Sequence, residues 1–302
     1  MVCNTKSPWA KNLSYICYNW MPLVADHVVD LPNDLYIRAG TSRLHNADSF
    51  EPGDVKDGDL IFVKTDFIVN GSFRSRYMNK IDSSFNLITG ASSYSLDLNQ
   101  EEYQLVVRDS RLNKWFCTNP PLLTNEKLVS LPIGFQEPDR PGGNQLMLSR
   151  IADMQTPFEE KKDKIFLPYH DLTTNPARKQ LVKKLGSLPF VEAQTTQQSL
   201  FEYYRSLDSY KFVIGIAGRG RDIHRNYETM LVGSIPISTN TLMWSSFATH
   251  DVNVVCLESW DDLDEIRYKK VLETAYNMKS NKRFLSLDTH VKYINRTLAR
   301  VE

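Results

Sequence analysis

Apolar runs alternate with polar, turn-forming stretches along most of the chain, most clearly over residues 211–238 (KFVIGIAGRGRDIHRNYETMLVGSIPIS). Residues 212–216 form an apolar run, as a strand buried on both faces requires. The run empties into a turn holding Gly215, Gly218 and Gly220. Beyond it Ile223, Tyr227, Met230 and Leu231 recur at i, i+4, i+7 and i+8, one apolar face of a helix. Gly233 stands where a C′ glycine ends such a helix, and residues 235–237 start another strand. The segment reads as strand, glycine turn, helix, strand: a βαβ unit.

The same rhythm extends outwards. Ahead of residue 143 the pattern predicts strands at 15–18, 35–38, 59–66, 85–89, 115–118 and 128–135, with helices at 73–82 and 101–108. Residues 136–143 (QEPDRPGG) are rich in proline, glycine and charge and read as a linker. A second block follows. It opens with a helix over 144–155 and a strand over 164–169, then a helix entered through Pro176 with Arg178 in its first turn. Later come a strand over 252–257 and helices over 261–278 and 282–300. Alternating β and α elements predict the α/β class, with open sheets covered by helices. Two α/β domains are expected, residues 1–143 and 144–280, followed by a last helix over 281–302. Ligands of such sheets bind beyond the carboxyl ends of the strands. That rule brings forward the glycine turn in one domain and Asp66, at the end of its strand, in the other.

Composition narrows the chemistry. Lys plus Arg and Asp plus Glu both total 36, so the formal charge is zero and a nucleic-acid surface is not the expected partner. Cys3, Cys17, Cys117 and Cys256 form no C-x-x-C pair and read as buried reduced thiols. No secretory leader pattern and no membrane-length apolar run occurs, so a cytoplasmic protein without a membrane span is expected, and the N-x-[ST] triplets at Asn12, Asn70 and Asn295 read as chance. The histidines are scattered and no H-E-x-x-H, G-K-[ST] or G-x-S-x-G occurs, so no zinc site, Walker loop or esterase elbow is expected. The glycine order also differs from the dinucleotide fingerprint. Asp57-Gly58-Asp59 is a D-x-D triplet, but it precedes its strand, where a turn suits it better than a divalent ion on a diphosphate.

The glycine turn carries the positive signal. Arg219, Arg221 and Arg225 crowd the amino end of a helix, where the dipole disfavours cations. An anion held by the guanidiniums and the free backbone N–H groups resolves that conflict, and phosphate is the commonest such anion. Glu228 lies three residues after Arg225 and four after His224, so the three share part of one helix surface. An acid so placed can accept ribose hydroxyls or pair with Arg225.

The stretch GRGRDIHRNYETMLVGSIPIS resembles the donor-site signature of exostosin-like glycosyltransferases, sugar-transferase family 47, at Gly218, Gly220, Asp222, Arg225, Glu228, Gly233 and residues 235–237. Residues 85–90 and 115–134 are similar to further stretches of that family. The resemblance implies a GT-B architecture of two Rossmann-like domains, the final helix crossing back to the first. It further implies an inverting transfer, without an essential metal or other cofactor, from a nucleotide diphosphate sugar to a glycan or glycoprotein hydroxyl. UDP is the implied nucleotide and UDP-xylose the favoured donor, small relatives without an anchor occurring in large DNA viruses. Carried over, Glu228 holds the donor ribose, and Arg225 with the Gly218–Gly220 turn holds the diphosphate. Asp222 and His224 join the donor site, while Arg219 departs from the family pattern and adds charge. In chemical terms Arg219, Arg225 and Arg178 would stabilise the departing diphosphate. Asp66 is the expected base, with Asp97 and His170 in reserve. A manganese-dependent GT-A enzyme built on Asp57 and Asp59, or a non-catalytic sugar-nucleotide or glycan-binding protein, is the alternative.

Overall fold

The structure, a computed structural model, describes residues 13–30, 50–92, 94–97, 99–120, 125–173, 175–239, 241–247, 252–275 and 282–299. The chain divides into two compact units, Met1–Ile133 with Ser286–Glu302, and Gly134–Leu285. The division thus precedes the expected linker. Residues 136–143 fold back on themselves instead, the Arg140 and Gly143 amides donating to the Glu137 and Arg140 carbonyls.

In the first unit β1 (His27–Val29), β2 (Asp59–Lys64), β3 (Phe85–Gly90), β4 (Leu112–Cys117) and β5 (Leu128–Ser130) form a parallel sheet in sequence order. Helices α1 (Thr65–Val69), α2 (Ser72–Arg76) and α3 (Glu101–Val107) follow β2 and β3. The expected strand at 15–18 gives way to isolated bridges at Tyr15 and Cys17, that of Tyr15 running antiparallel to Ser286. The expected strand at 35–38 lies outside the described residues. The core gathers Val29, Ile61, Val63, Leu87 and Trp115, all fully buried, and the Trp115 indole donates to Thr89 Oγ1 at 2.9 Å. Cys17 and Cys117 are buried thiols and Cys256, in the second unit, is half-buried.

The second unit holds helix α4 (Gln145–Asp153), β6 (Lys162–Leu167), α5 (Ala177–Gly186), β7 (Val191–Ala193), α6 (Leu200–Asp208), β8 (Tyr210–Ile214), α7 (His224–Leu231), β9 (Ile235–Ser238), α8 (Thr241–Ser246), β10 (Val255–Cys256), α9 (Glu265–Ala275) and α10 (Lys282–Leu285). Its five strands are all parallel in the order β10-β9-β8-β6-β7. Gly233, at φ 74°, follows α7 as the sequence predicts. The long helix expected over 282–300 breaks at Ser286, and its second part, α11 (Leu287–Leu298), belongs to the first unit. Among the described residues no helix is long and apolar enough to cross a membrane.

On β7 the Glu192 carboxylate accepts the Tyr210 hydroxyl and pairs with Lys164 at 2.9 Å and Lys162 at 3.4 Å. The Tyr210 hydrogen bond first, then the lysines, pull its pKa from the ordinary 4.5 to about 2. Such a group stabilises the fold above pH 4.5 and loses that contribution as pH falls through about 2. Glu192→Gln is therefore expected to flatten the decline of melting temperature on acidification through this window. An unchanged slope would remove Glu192 from the acid response.

Candidate functional site

The strand order of the second unit creates a switch point. From β6 the chain moves to β7 on one side, then returns to β8 on the other. In open parallel sheets a ligand crevice lies outside the carboxyl ends of the two strands where the direction reverses. The segments leaving those ends are residues 168–176 after β6 and residues 215–223 after β8, and the predicted donor-site residues lie on them, on the first turn of α5 and on the first five residues of α7.

The turn after β8 is built from its backbone outward. A Cβ on Gly215 would stand 2.1 Å from Asn226 Oδ1, so only glycine lets α7 pack this closely on the end of the strand. Gly218 N–H donates to the Gly220 carbonyl at 3.2 Å. Arg178 fixes the turn from α5: its Nε donates to the Ala217 carbonyl at 2.9 Å, and its terminal nitrogens to the carbonyls of Ile216 at 2.9 Å and Asp171 at 3.1 Å. At 8% exposure this guanidinium shapes the turn, rather than reaching out for phosphate as its position in sequence suggests. Burial lowers its pKa, Arg225 adds to the shift, and Asp171 opposes it. Asp222 is likewise turned inward, buried and accepting a hydrogen bond from the Tyr227 hydroxyl. His224 Nδ1 lies 2.8 Å from the Gly134 carbonyl, so this nitrogen carries hydrogen and the ring anchors the start of α7.

Arg219, Arg225 and Glu228 remain for a ligand. Arg219 is exposed and makes no hydrogen bond or ion pair among the described residues. Arg225 is half-buried; one terminal nitrogen donates to the Tyr169 carbonyl at 2.8 Å and its Nε to the Tyr203 hydroxyl at 3.2 Å. Tyr203, on α6, in turn donates to Glu228 Oε2 at 2.6 Å. Arg225 and Glu228 therefore form no ion pair among the described residues, and Glu228 Oε1 is uncommitted. Tyr203 is the residue that sequence reasoning missed. The signal was available in Ser199-x-x-Glu202, a capping box that starts α6.

His170 is 3% exposed, its Nδ1 donating to the Pro168 carbonyl at 2.6 Å. Burial, and then Arg225, lower its pKa to about 2. The ring stays neutral and is a poor general base, which argues against its reserve role.

Asp66 belongs to the first unit, in the first turn of α1 rather than at the tip of a strand. Its Oδ2 is 3.7 Å from Lys64 Nζ and has no hydrogen-bond partner. Asp97 is occupied in a turn, its Oδ1 accepting from Asn99 N at 3.0 Å. The D-x-D carboxylates both serve the loop before β2. Asp57 Oδ1 accepts from Ser84 N at 2.8 Å, and Asp59 Oδ2 from Lys56 N and His27 Nε2, both at 2.9 Å.

No protein-family model matches the chain, and no curated protein matches it in sequence. The chemistry of the site is then the guide. Two arginines that touch no carboxylate among the described residues, at the amino end of an eight-residue helix, suit an anion, and a buried carboxylate one turn on suits a hydroxyl.

Proposed function

We propose that the chain is an inverting glycosyltransferase of GT-B architecture. It takes a sugar from a nucleoside diphosphate sugar, with UDP as the nucleotide, to a hydroxyl of a glycan or glycoprotein acceptor in the cytoplasm. The observation that carries the reading is the coincidence of the switch point with Arg219 and Arg225, neither of which has an ion-pair partner among the described residues. In this reading the first-turn N–H groups of α7 and the two guanidiniums hold the diphosphate and stabilise the charge it gains as the glycosidic bond breaks, with no metal required. Glu228 Oε1 accepts a ribose hydroxyl. Asp66, whose Oδ2 holds no hydrogen bond and lies 3.7 Å from Lys64 Nζ, takes the acceptor proton.

Thermal unfolding with UDP, GDP and a panel of their sugar conjugates, UDP-xylose first, tests the nucleotide without knowledge of the acceptor. A ligand at about 100 times its dissociation constant stabilises by about 2.7 kcal/mol, a clear upward shift. Arg225→Ala is expected to weaken UDP binding by about 10- to 100-fold, the range of hydrogen bonds to a charged group. Its melting temperature should stay near that of the parent, because only one neutral carbonyl and one phenol lose a partner. Binding without release of UDP over long incubation would make this a sugar-nucleotide-binding protein; no shift with any nucleotide would sink the reading.

A further inference from the structure

We infer that Tyr203 is a positioning residue whose hydroxyl keeps Arg225 and Glu228 from pairing with each other, leaving the guanidinium to phosphate and the carboxylate to a hydroxyl. The inference rests on the anion-binding reading of this site.

Arg225 and Glu228 are three residues apart on α7, a spacing at which opposite charges on a helix meet. Glu228 is buried, where such a pair gains from the low dielectric. Yet the two groups do not pair. The phenol stands between them, accepting from Arg225 Nε at 3.2 Å and donating to Glu228 Oε2 at 2.6 Å. The guanidinium carbon lies 5.8 Å from the centre of the Tyr203 ring, and its far end is held by the Tyr169 carbonyl. Among the described residues every group hydrogen-bonded to Arg225 is neutral, so its orientation is fixed while no carboxylate touches its charge. A direct carboxylate contact would cancel that charge and occupy Glu228 as well.

The arrangement persists across the ordinary pH range. Burial, and then the Glu228 charge, raise the Tyr203 pKa, so the hydroxyl keeps the hydrogen it gives to the carboxylate. The placement of the ring is also secured from outside the site. The capping box at Ser199 starts α6, and the buried Tyr204 packs edge-on against the Tyr203 ring, the centroids 5.6 Å apart.

Pyrophosphate is the probe, because it lacks the ribose assigned to Glu228. By titration calorimetry Tyr203→Phe is expected to weaken pyrophosphate binding about tenfold, the size of one charge-assisted contact, as Arg225 turns to Glu228. In a Glu228→Gln background, where no carboxylate competes, the same change is expected to alter binding by less than about twofold. Tyr203→Leu should repeat this pattern, since the hydroxyl and not the ring carries the effect. A Tyr203→Phe protein that binds as the parent does, or a loss of equal size in both backgrounds, overturns the inference while leaving the phosphate site standing. A parent chain that binds neither pyrophosphate nor UDP overturns the phosphate reading itself, and the role of Tyr203 with it.

Discussion

Arg178→Ala is expected to abolish measurable nucleotide binding and to lower stability at the same time, unlike Arg225→Ala, which should affect binding alone. Three carbonyls, those of Asp171, Ile216 and Ala217, accept from this one guanidinium. Alanine leaves them facing the gap of a side chain that was buried, Arg178 being 8% exposed. Hydrogen bonds to a charged group are worth about 1.5–3 kcal/mol each and are not fully additive, so a loss of about 3–5 kcal/mol is expected. The Ile216–Gly218 backbone then loses its fixed path, and with it the geometry of the turn that leads into α7, where the proposed phosphate site lies. Asn175 Nδ2 remains on the turn, 3.3 Å from the Gly218 carbonyl and 3.5 Å from that of Ala217. Arg178→Lys should recover only part of the loss, because an ammonium on a flexible stem cannot match a fork that spans three acceptors. Chemical denaturation and UDP titration of the two variants check this. An alanine variant with parental stability but no binding would return Arg178 to direct phosphate contact.

The contrast between the two arginines marks how far the sequence carries. The βαβ unit at 211–238 was legible because each part has a local signal: an apolar run, a 3.6-residue period, and Gly233 where left-handed backbone is needed. The two-sheet α/β class followed from repetition of that rhythm. Strand order did not, because nothing local to residues 191–193 says that β7 pairs outside β6, and the switch point exists only through that choice. The burial of Arg178 was hidden for the same reason. An arginine in a first helical turn looks like a phosphate ligand until β6–β8 pairing brings in carbonyls from about forty residues away. Asp222 could not be read as buried either, since its partner Tyr227 also fits the apolar face of α7. Arg225 and Glu228 were correctly paired as neighbours on the helix, but the phenol between them comes from α6, a segment whose capping box was the only early sign.

Lys161 sets the largest purely structural prediction, because it joins the elements that carry these side chains. Its ammonium is 0% exposed and contacts the Asp208 carboxylate, the Asp208 carbonyl at 2.7 Å and the Val232 carbonyl at 2.9 Å. Those groups lie at the carboxyl ends of α6 and α7, so one cation just ahead of β6 closes both helices against the sheet. Burial lowers the lysine pKa more than Asp208 raises it, which shows how much desolvation the contacts must offset. Breaking a buried ion pair from one side costs about 3–5 kcal/mol, since the remaining charge loses its counter-ion. Lys161→Ala is thus expected to lower the melting temperature by about 10 °C, at a few degrees per kcal/mol for a unit of this size. Removing both charges should behave differently. In Lys161→Met with Asp208→Asn the methionine fills the space, and the amide oxygen can still accept from Thr156, whose N–H and hydroxyl now lie 3.0 Å and 2.6 Å from the carboxylate. More than half of the lost stability should return. If the double variant is as unstable as Lys161→Ala, then the two backbone carbonyls, not the ion pair, account for the effect, and the ends of α6 and α7 depend on hydrogen bonding rather than on charge.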